Sequence, residues 1–178
     1  PAIAAKAPNV LFLMSDDLNT ALSGFGHPQC KTPELDKLAE RGMRFENMHC
    51  QYPVCGASRA SLMSGLYPYT NGTLGNAGTL RGNMPDVLTM SQLFRKNGYR
   101  VGRVSKIYHM GIPGEILAGT AIRDDPHSWD EVVNIKAPEQ NAPGEKTNWS
   151  PKNKSSQSFT GVVAEGDDLA HADGMAAN

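Results

Sequence analysis

The chain lacks the charge that would draw it generally to another polymer. Lysine plus arginine (17) nearly balance aspartate plus glutamate (18), for a formal charge of −1. That excludes a broad pull toward nucleic acid or an anionic membrane, so attraction for an anionic substrate must come from charges gathered locally. No run is long and apolar enough to span a bilayer, which takes about 20 residues. No internal repeat is present. Cysteine is scarce, with only Cys30, Cys50 and Cys55. What is there fits a folded domain: 178 residues, 39% apolar and 20% charged, give a soluble globular chain with a sizeable core and exclude a disordered one.

The stretch around which the rest is organised is Cys55-Gly56-Ala57-Ser58-Arg59, continuing as Ala60-Ser61-Leu62-Met63-Ser64-Gly65. It places a cysteine just before a segment able to start a helix, with Ser58 as the expected cap. Backbone N–H donors and the positive end of a helix dipole then act on whatever Cys55 carries. Arg59 adds a planar donor fork suited to a tetrahedral oxyanion. On chemistry alone this is an anion site with a candidate nucleophile. The plain alternative is a buried thiol beside a helix cap.

Upstream, residues 9–14 (Asn-Val-Leu-Phe-Leu-Met) form a continuous apolar run that reads as a strand buried on both faces of a parallel sheet. Ser15-Asp16-Asp17 would stand at its carboxyl end, where open α/β sheets build their sites. Paired carboxylates there suit a hard divalent cation; taken alone they also read as a turn or an N-cap. Residues 32–42 carry Pro33 in the first turn and a closing glycine, predicting a short amphipathic helix with Leu35 and Leu38 inward. Residues 43–47 alternate as a second strand leading toward Cys55, and His49 reads as an ordinary loop histidine.

Downstream, residues 67–85 are rich in Gly, Asn and Thr and predict a loop. Residues 86–97 predict a helix closed by Gly98, and residues 99–105 a strand that delivers Lys106 and His109 to its carboxyl edge. Residues 134–159 turn polar, and the stretch 133–160 reads as a long loop over the surface. Residues 165–178 read as the lead into another helix, with Asp167, Asp168, His171 and Asp173 a polar loop and cap in preference to a metal cluster. Asn71-Gly-Thr, Asn148-Trp-Ser and Asn153-Lys-Ser fit the N-glycosylation pattern, which matters only in a eukaryotic secretory host.

Cys55-x-Ala-Ser-Arg, followed by two residues, Leu62, an apolar residue and Ser64-Gly65, resembles the signature of the type I sulfatases, formylglycine-dependent members of the alkaline phosphatase superfamily. Ala57 stands at the place of the commoner proline. The Asp16-Asp17 pair and the helix of residues 32–42 match further motifs of that family, in order. Gly98-Tyr99 followed by Lys106 and His109 is similar to its second signature, commonly Gly-Tyr…Gly-Lys-Trp-His-x-Gly. Here Ser105 replaces the glycine, and two residues instead of one separate Lys106 from His109. That spacing, Ile112 after Gly111, and Asp124-Asp125-Pro126-His127-Ser128-Trp129 resemble the iduronate-2-sulfatase branch.

The resemblance implies an α/β fold, a mostly parallel sheet flanked by helices, incomplete in this chain. It implies a sulfuric ester hydrolase acting on O-sulfate groups of a sugar or polysaccharide unit. Cys55 would be oxidised to formylglycine by a formylglycine-generating or equivalent enzyme. One hydroxyl of its hydrate would attack sulfur as the substrate alcohol leaves, and loss of the proton from the other would then re-form the aldehyde and expel sulfate. One calcium ion would be held by Asp16 and Asp17 with residue 55, Arg59 and Lys106 would stabilise charge, and His109 would take the second diol proton. With Cys55 so used, Cys30 and Cys50 either pair or, as is expected here, remain two free thiols. Residues 1–7, small in character, resemble the trace left near a signal-peptide cleavage site, and with family habit they lead to an exported protein.

The match runs from about residue 9 to 129 and covers only the first part of a sulfatase. Residues 1–178 are therefore expected to be the N-terminal portion of the catalytic domain, with the remaining C-terminal segment as an obligatory partner. A phosphate or phosphonate ester hydrolase of the same superfamily, and a non-catalytic sulfated-glycan-binding relative, are the competing readings.

Overall fold

A strand persists only where a neighbouring backbone takes its hydrogen bonds, and this decides which predicted strands form. A computed structural model of the chain describes residues 7–111, 114–136, 146–148 and 160–162. The chain divides into two compact units, Pro1–Cys50 and Gln51–Asn178.

In the first unit, residues 9–14 are not a strand. They run as irregular chain with Val10 60%, Leu11 83% and Leu13 73% exposed. Apolar content selects a buried strand only if a ladder accepts it, and among the described residues this run belongs to no sheet. Residues 43–47 are likewise irregular and exposed. Helix α1 (Pro33–Arg41) forms as expected, with Pro33 at its start and Gly42 N–H closing it on Ala39 O. Leu35 and Leu38 do not point inward as predicted; they are 43% and 57% exposed. The unit is held instead by polar bonds. Ser23 Oγ, in the 3-10 turn Ser23–Phe25, lies 2.6 Å from Asp36 Oδ2 and 2.8 Å from Thr32 Oγ1. The Arg44 guanidinium covers the Phe25 ring at 4.9 Å. Cys30 and Cys50 are free and exposed.

The second unit carries helices α2 (Cys55–Ser64), α3 (Pro68–Asn71), α4 (Leu80–Asn83) and α5 (Met90–Lys96), strand β1 (Gly102–Val104), helix α6 (Gly114–Ala118) and strand β2 (Glu131–Val133). The Gly/Asn-rich segment predicted as loop thus contains two single-turn helices. The helix predicted from residue 86 starts at Met90, because Thr89 and Gln92 form a capping box that fixes the boundary. β1 and β2 pair in parallel with Gly102 opposite Glu131 and Val104 opposite Val133. Ser105 N–H extends the ladder to Val133 O. Strands β3 (Lys146–Asn148) and β4 (Thr160–Val162) pair antiparallel, so the stretch read as one long loop carries a strand. Ile112 and the Asp167, Asp168, His171 and Asp173 group lie outside the described residues.

Ala60, Met63, Leu80, Tyr108 and Trp129 are the buried apolar centre of this unit, with Val87, Met90, Val101 and Ile107 packed on it. Tyr108 meets Trp129 edge to face at 6.0 Å between centroids. A polar network backs this centre. Arg81 is bidentate on Asp125, 3.1 Å from Nε to Oδ1 and 2.8 Å from Nη2 to Oδ2. Ser128 Oγ donates to Asp125 Oδ2 at 2.7 Å and lies within 3.0 Å of both Thr89 Oγ1 and the Tyr108 hydroxyl. Among the described residues every buried side-chain nitrogen and oxygen has a partner.

Candidate active site

Helix α2 starts earlier than the sequence predicted. Val54, in extended conformation, is its N-cap and Cys55 its first residue; Ser58 lies inside the first turn, with its N–H on Val54 O at 2.9 Å. Gly65, at φ 69°, closes the other end in the left-handed region. The small residues of the motif bury one face: Gly56, Ala57, Ala60 and Ser61 are all buried, with Met63. Cys55 is therefore held at a helix N-terminus by close packing, not by a serine cap.

Arg59 is on this buried face, 6% exposed. Its Nη1 donates to Lys106 O at 2.7 Å and to Ile107 O at 2.8 Å. The arginine thus grips the backbone of the turn that follows β1. That turn begins at Ser105, whose φ of 58° lies in the left-handed region. The position of the glycine commonly found before the lysine is thereby explained: the chain reverses hand there, and here a serine does it.

The turn brings His109 Nδ1 to 3.4 Å from Cys55 Sγ, across 54 residues of sequence. Burial holds the His109 imidazole below its ordinary pKa, and the charges of Lys106, Arg123 and Arg59 add to this against Glu115. Both effects favour the neutral imidazole, the form able to accept a proton. Four of the residues read from sequence, Cys55, Arg59, Lys106 and His109, belong to two elements of one unit joined by these bonds.

Asp16 and Asp17 lie in the other unit, on exposed irregular chain, with Asp17 at φ 52°. Consecutive carboxylates are hard oxygen donors of the kind calcium takes, but they supply only part of its six to eight ligands. Among the described residues no group of three or more His, Cys, Asp or Glu side chains gathers. The pair fits as part of a calcium site.

One site residue was missed from sequence. Asn76 Oδ1 accepts the Gly56 N–H at 2.8 Å and lies 3.4 Å from Cys55 Sγ. The only sequence signal is an asparagine directly after Gly75 in a segment that reads as loop. Asn71, in contrast, fits a glycosylation pattern yet is 1% exposed, with its side chain on Thr73 N–H and Leu66 O.

Comparison with known proteins agrees with these motifs. The sulfatase family model matches residues 8–160. A sulfatase of Formosa agariphila is 36% identical over 60% of this chain and 22% of its own length. An N-acetylglucosamine-6-O-sulfatase of Bacteroides thetaiotaomicron is 32% identical over 73% of this chain and 24% of its own. Human iduronate 2-sulfatase is 32% identical over 69% and 22%. A solved structure from Bacteroides thetaiotaomicron, from work on its metabolism of multiple glycosaminoglycans, superposes with a TM-score of 0.50 at 22% identity, covering 73% of this chain and 32% of that one. The chain spans about a quarter of the length of these curated relatives. No helix among the described residues is long and apolar enough to cross a membrane. With the cysteine motif on its helix, the lysine–histidine turn joined to it and a family match over most of its length, the chain belongs to the sulfatase family.

Proposed function

We propose that this chain is the N-terminal part of the catalytic domain of an exported sulfatase that removes O-sulfate groups from a sulfated sugar or a polysaccharide-derived oligosaccharide. The observation that carries the reading is the 3.4 Å approach of His109 Nδ1 to Cys55 Sγ at the start of α2. It pairs a residue at a helix N-terminus with a neutral base, as nucleophilic catalysis requires. Cys55, converted to formylglycine by a maturation enzyme, would supply a hydrated aldehyde as the nucleophile toward sulfur. His109 would take a proton from the side chain at position 55. Lys106 would hold negative charge on the sulfate oxygens, with the N-terminus of α2 adding its dipole. Arg59 would serve the same charge while fixing the turn that carries Lys106. Asp16 and Asp17, with residue 55 and ligands from the remaining C-terminal segment, would hold a calcium ion that acts as a Lewis acid on a sulfate oxygen.

The test is made on full-length protein from its natural host. The tryptic peptide containing Cys55 should have the mass of the aldehyde or its hydrate, and the protein should hydrolyse an aryl sulfate faster than the matching aryl phosphate. A thiol mass in a protein inert toward sulfate esters would overturn the reading, and a preference for the phosphate would move it to a phosphate or phosphonate ester hydrolase.

A further inference from the structure

The first turn of a helix leaves N–H groups without partners inside the helix, and a cap normally supplies one. The cap of α2 is Val54, which makes no side-chain cap bond. The bond comes instead from outside: Asn76 Oδ1, 20 residues downstream of Gly56, accepts the Gly56 N–H at 2.8 Å. The same oxygen lies 3.4 Å from Cys55 Sγ. One amide oxygen therefore reaches both the helix start and the side chain at position 55.

Room for this exists only because position 56 has no side chain. A Cβ on Gly56 would stand 2.4 Å from Gly75 O, 2.8 Å from Asn76 Oδ1 and 3.1 Å from Asn76 Cα. Two of those atoms are backbone, so the Gly75–Asn76 segment would have to move. Gly56 does not need glycine for its own conformation, since its φ lies outside the left-handed region. Within a helix, glycine costs about 1 kcal/mol relative to alanine. What the glycine provides here is the close approach of Asn76.

We propose that Asn76 is a positioning residue for the side chain at position 55, and that Gly56 is the seat that admits it. This rests on the reading of position 55 as the reacting residue. Asn76 fixes the helix start and restricts the residue-55 side chain to the side facing His109, so the two residues act as one device.

The test uses full-length protein with three variants, Asn76→Ala, Gly56→Ala and the double substitution, each normalised to its aldehyde content by peptide mass. Asn76→Ala should lower kcat on an aryl sulfate about tenfold with KM moved less than twofold, because the fault is in orientation, not in substrate affinity. Gly56→Ala should do the same despite its better helix propensity, and the double variant should lose no more than either alone. In protein labelled with 15N-glycine, the Gly56 amide should exchange with solvent at least about tenfold faster in Asn76→Ala. Loss of kcat together with faster exchange supports the proposal. Faster exchange with an unchanged kcat makes Asn76 a helix cap only and overturns it. So does a loss of kcat with unchanged exchange, or a fully additive double variant. If the wild-type protein hydrolyses no sulfate ester, the functional reading fails by itself. The device is then judged on Gly56 exchange and on whether NMR couplings show one Cys55 rotamer in the wild type and several in Asn76→Ala.

Discussion

The Tyr108 hydroxyl lies 3.0 Å from Ser128 Oγ, and this contact joins the two sequence features that set the chain apart from the common sulfatase pattern. Tyr108 is one of the two residues between Lys106 and His109. Ser128 belongs to the Asp124–Trp129 segment. The longer spacing places a large side chain inward, where the segment supplies Ser128 for its hydroxyl and Trp129 for its ring. Burial pushes the Tyr108 phenol up to about 12, beyond what its bonds to Ser128 and Thr89 offset, so the hydroxyl stays protonated at any working pH.

Removing groups from this network should cost unequally. Tyr108→Phe deletes one hydroxyl and leaves Ser128 bonded to Asp125 and Thr89, for an expected loss of about 1 kcal/mol. Asp125→Ala leaves the Arg81 guanidinium, 17% exposed, without its carboxylate, for about 3 kcal/mol. Urea unfolding of the full-length protein measures both, and equal losses would show that the carboxylate is not the centre of the network.

The same carboxylate gives a pH dependence. Burial alone would raise the Asp125 pKa, but bonds from Arg81 and Ser128 outweigh it and hold the group below its ordinary value. The folded state therefore keeps this proton off more strongly than the unfolded state, whose pKa is about 3.9. Its contribution is fully present above that value and is lost as pH falls through the lower folded pKa. Stability of the wild type should fall more steeply below about pH 4 than that of Asp125→Asn, although the variant is less stable throughout. Parallel curves would remove Asp125 from the acid response.

Ser105 tests the backbone. At φ 58° a serine is held where glycine is at ease, at a cost of about 1–2 kcal/mol. Ser105→Gly relieves this but adds about 0.5–1 kcal/mol of unfolded-chain entropy, leaving a net gain of roughly 0–1.5 kcal/mol. A higher midpoint in thermal unfolding is expected, and a lower one would show that the serine makes up its strain elsewhere.

The sequence made the helix-borne site legible and the strand content much less so. Cys55 and Arg59 stand out by local pattern, Lys106 and His109 only through the resemblance to the sulfatase signatures, and α2 and the turn after β1 are local structures. The apolar run at residues 9–14 fits a buried strand by composition, but a strand depends on neighbours that its own residues do not specify. Leu35 and Leu38 failed in the same way: the amphipathic pattern gives a helix face without saying what covers it. Asn76 escaped because its role arises from close approach across 20 residues, and the glycine permitting it sat inside a motif already assigned another meaning. Ser58 fits a cap by residue type, whereas the helix begins at Cys55, where Gly56 and Ala57 can pack.

Arg59 offers the sharpest separation between charge and geometry. If it acted only as a positive charge near the sulfate, Arg59→Lys would retain most activity. In the structure its Nη1 bridges two carbonyls, Lys106 O and Ile107 O, from a buried position on α2. A lysine keeps the charge and can donate to two carbonyls, but its compact ammonium on a flexible stem does not fix both directions as the two planar N–H bonds of Nη1 do. The turn that carries Lys106 and His109 would then shift relative to position 55, and a misplacement of about 1 Å is enough for a 100-fold loss. Arg59→Lys in the full-length protein should therefore lower kcat on an aryl sulfate about 100-fold while the aldehyde content at position 55 stays the same. Retention of half the wild-type kcat would reduce Arg59 to an electrostatic role and leave the position of the turn to the Tyr108 network alone.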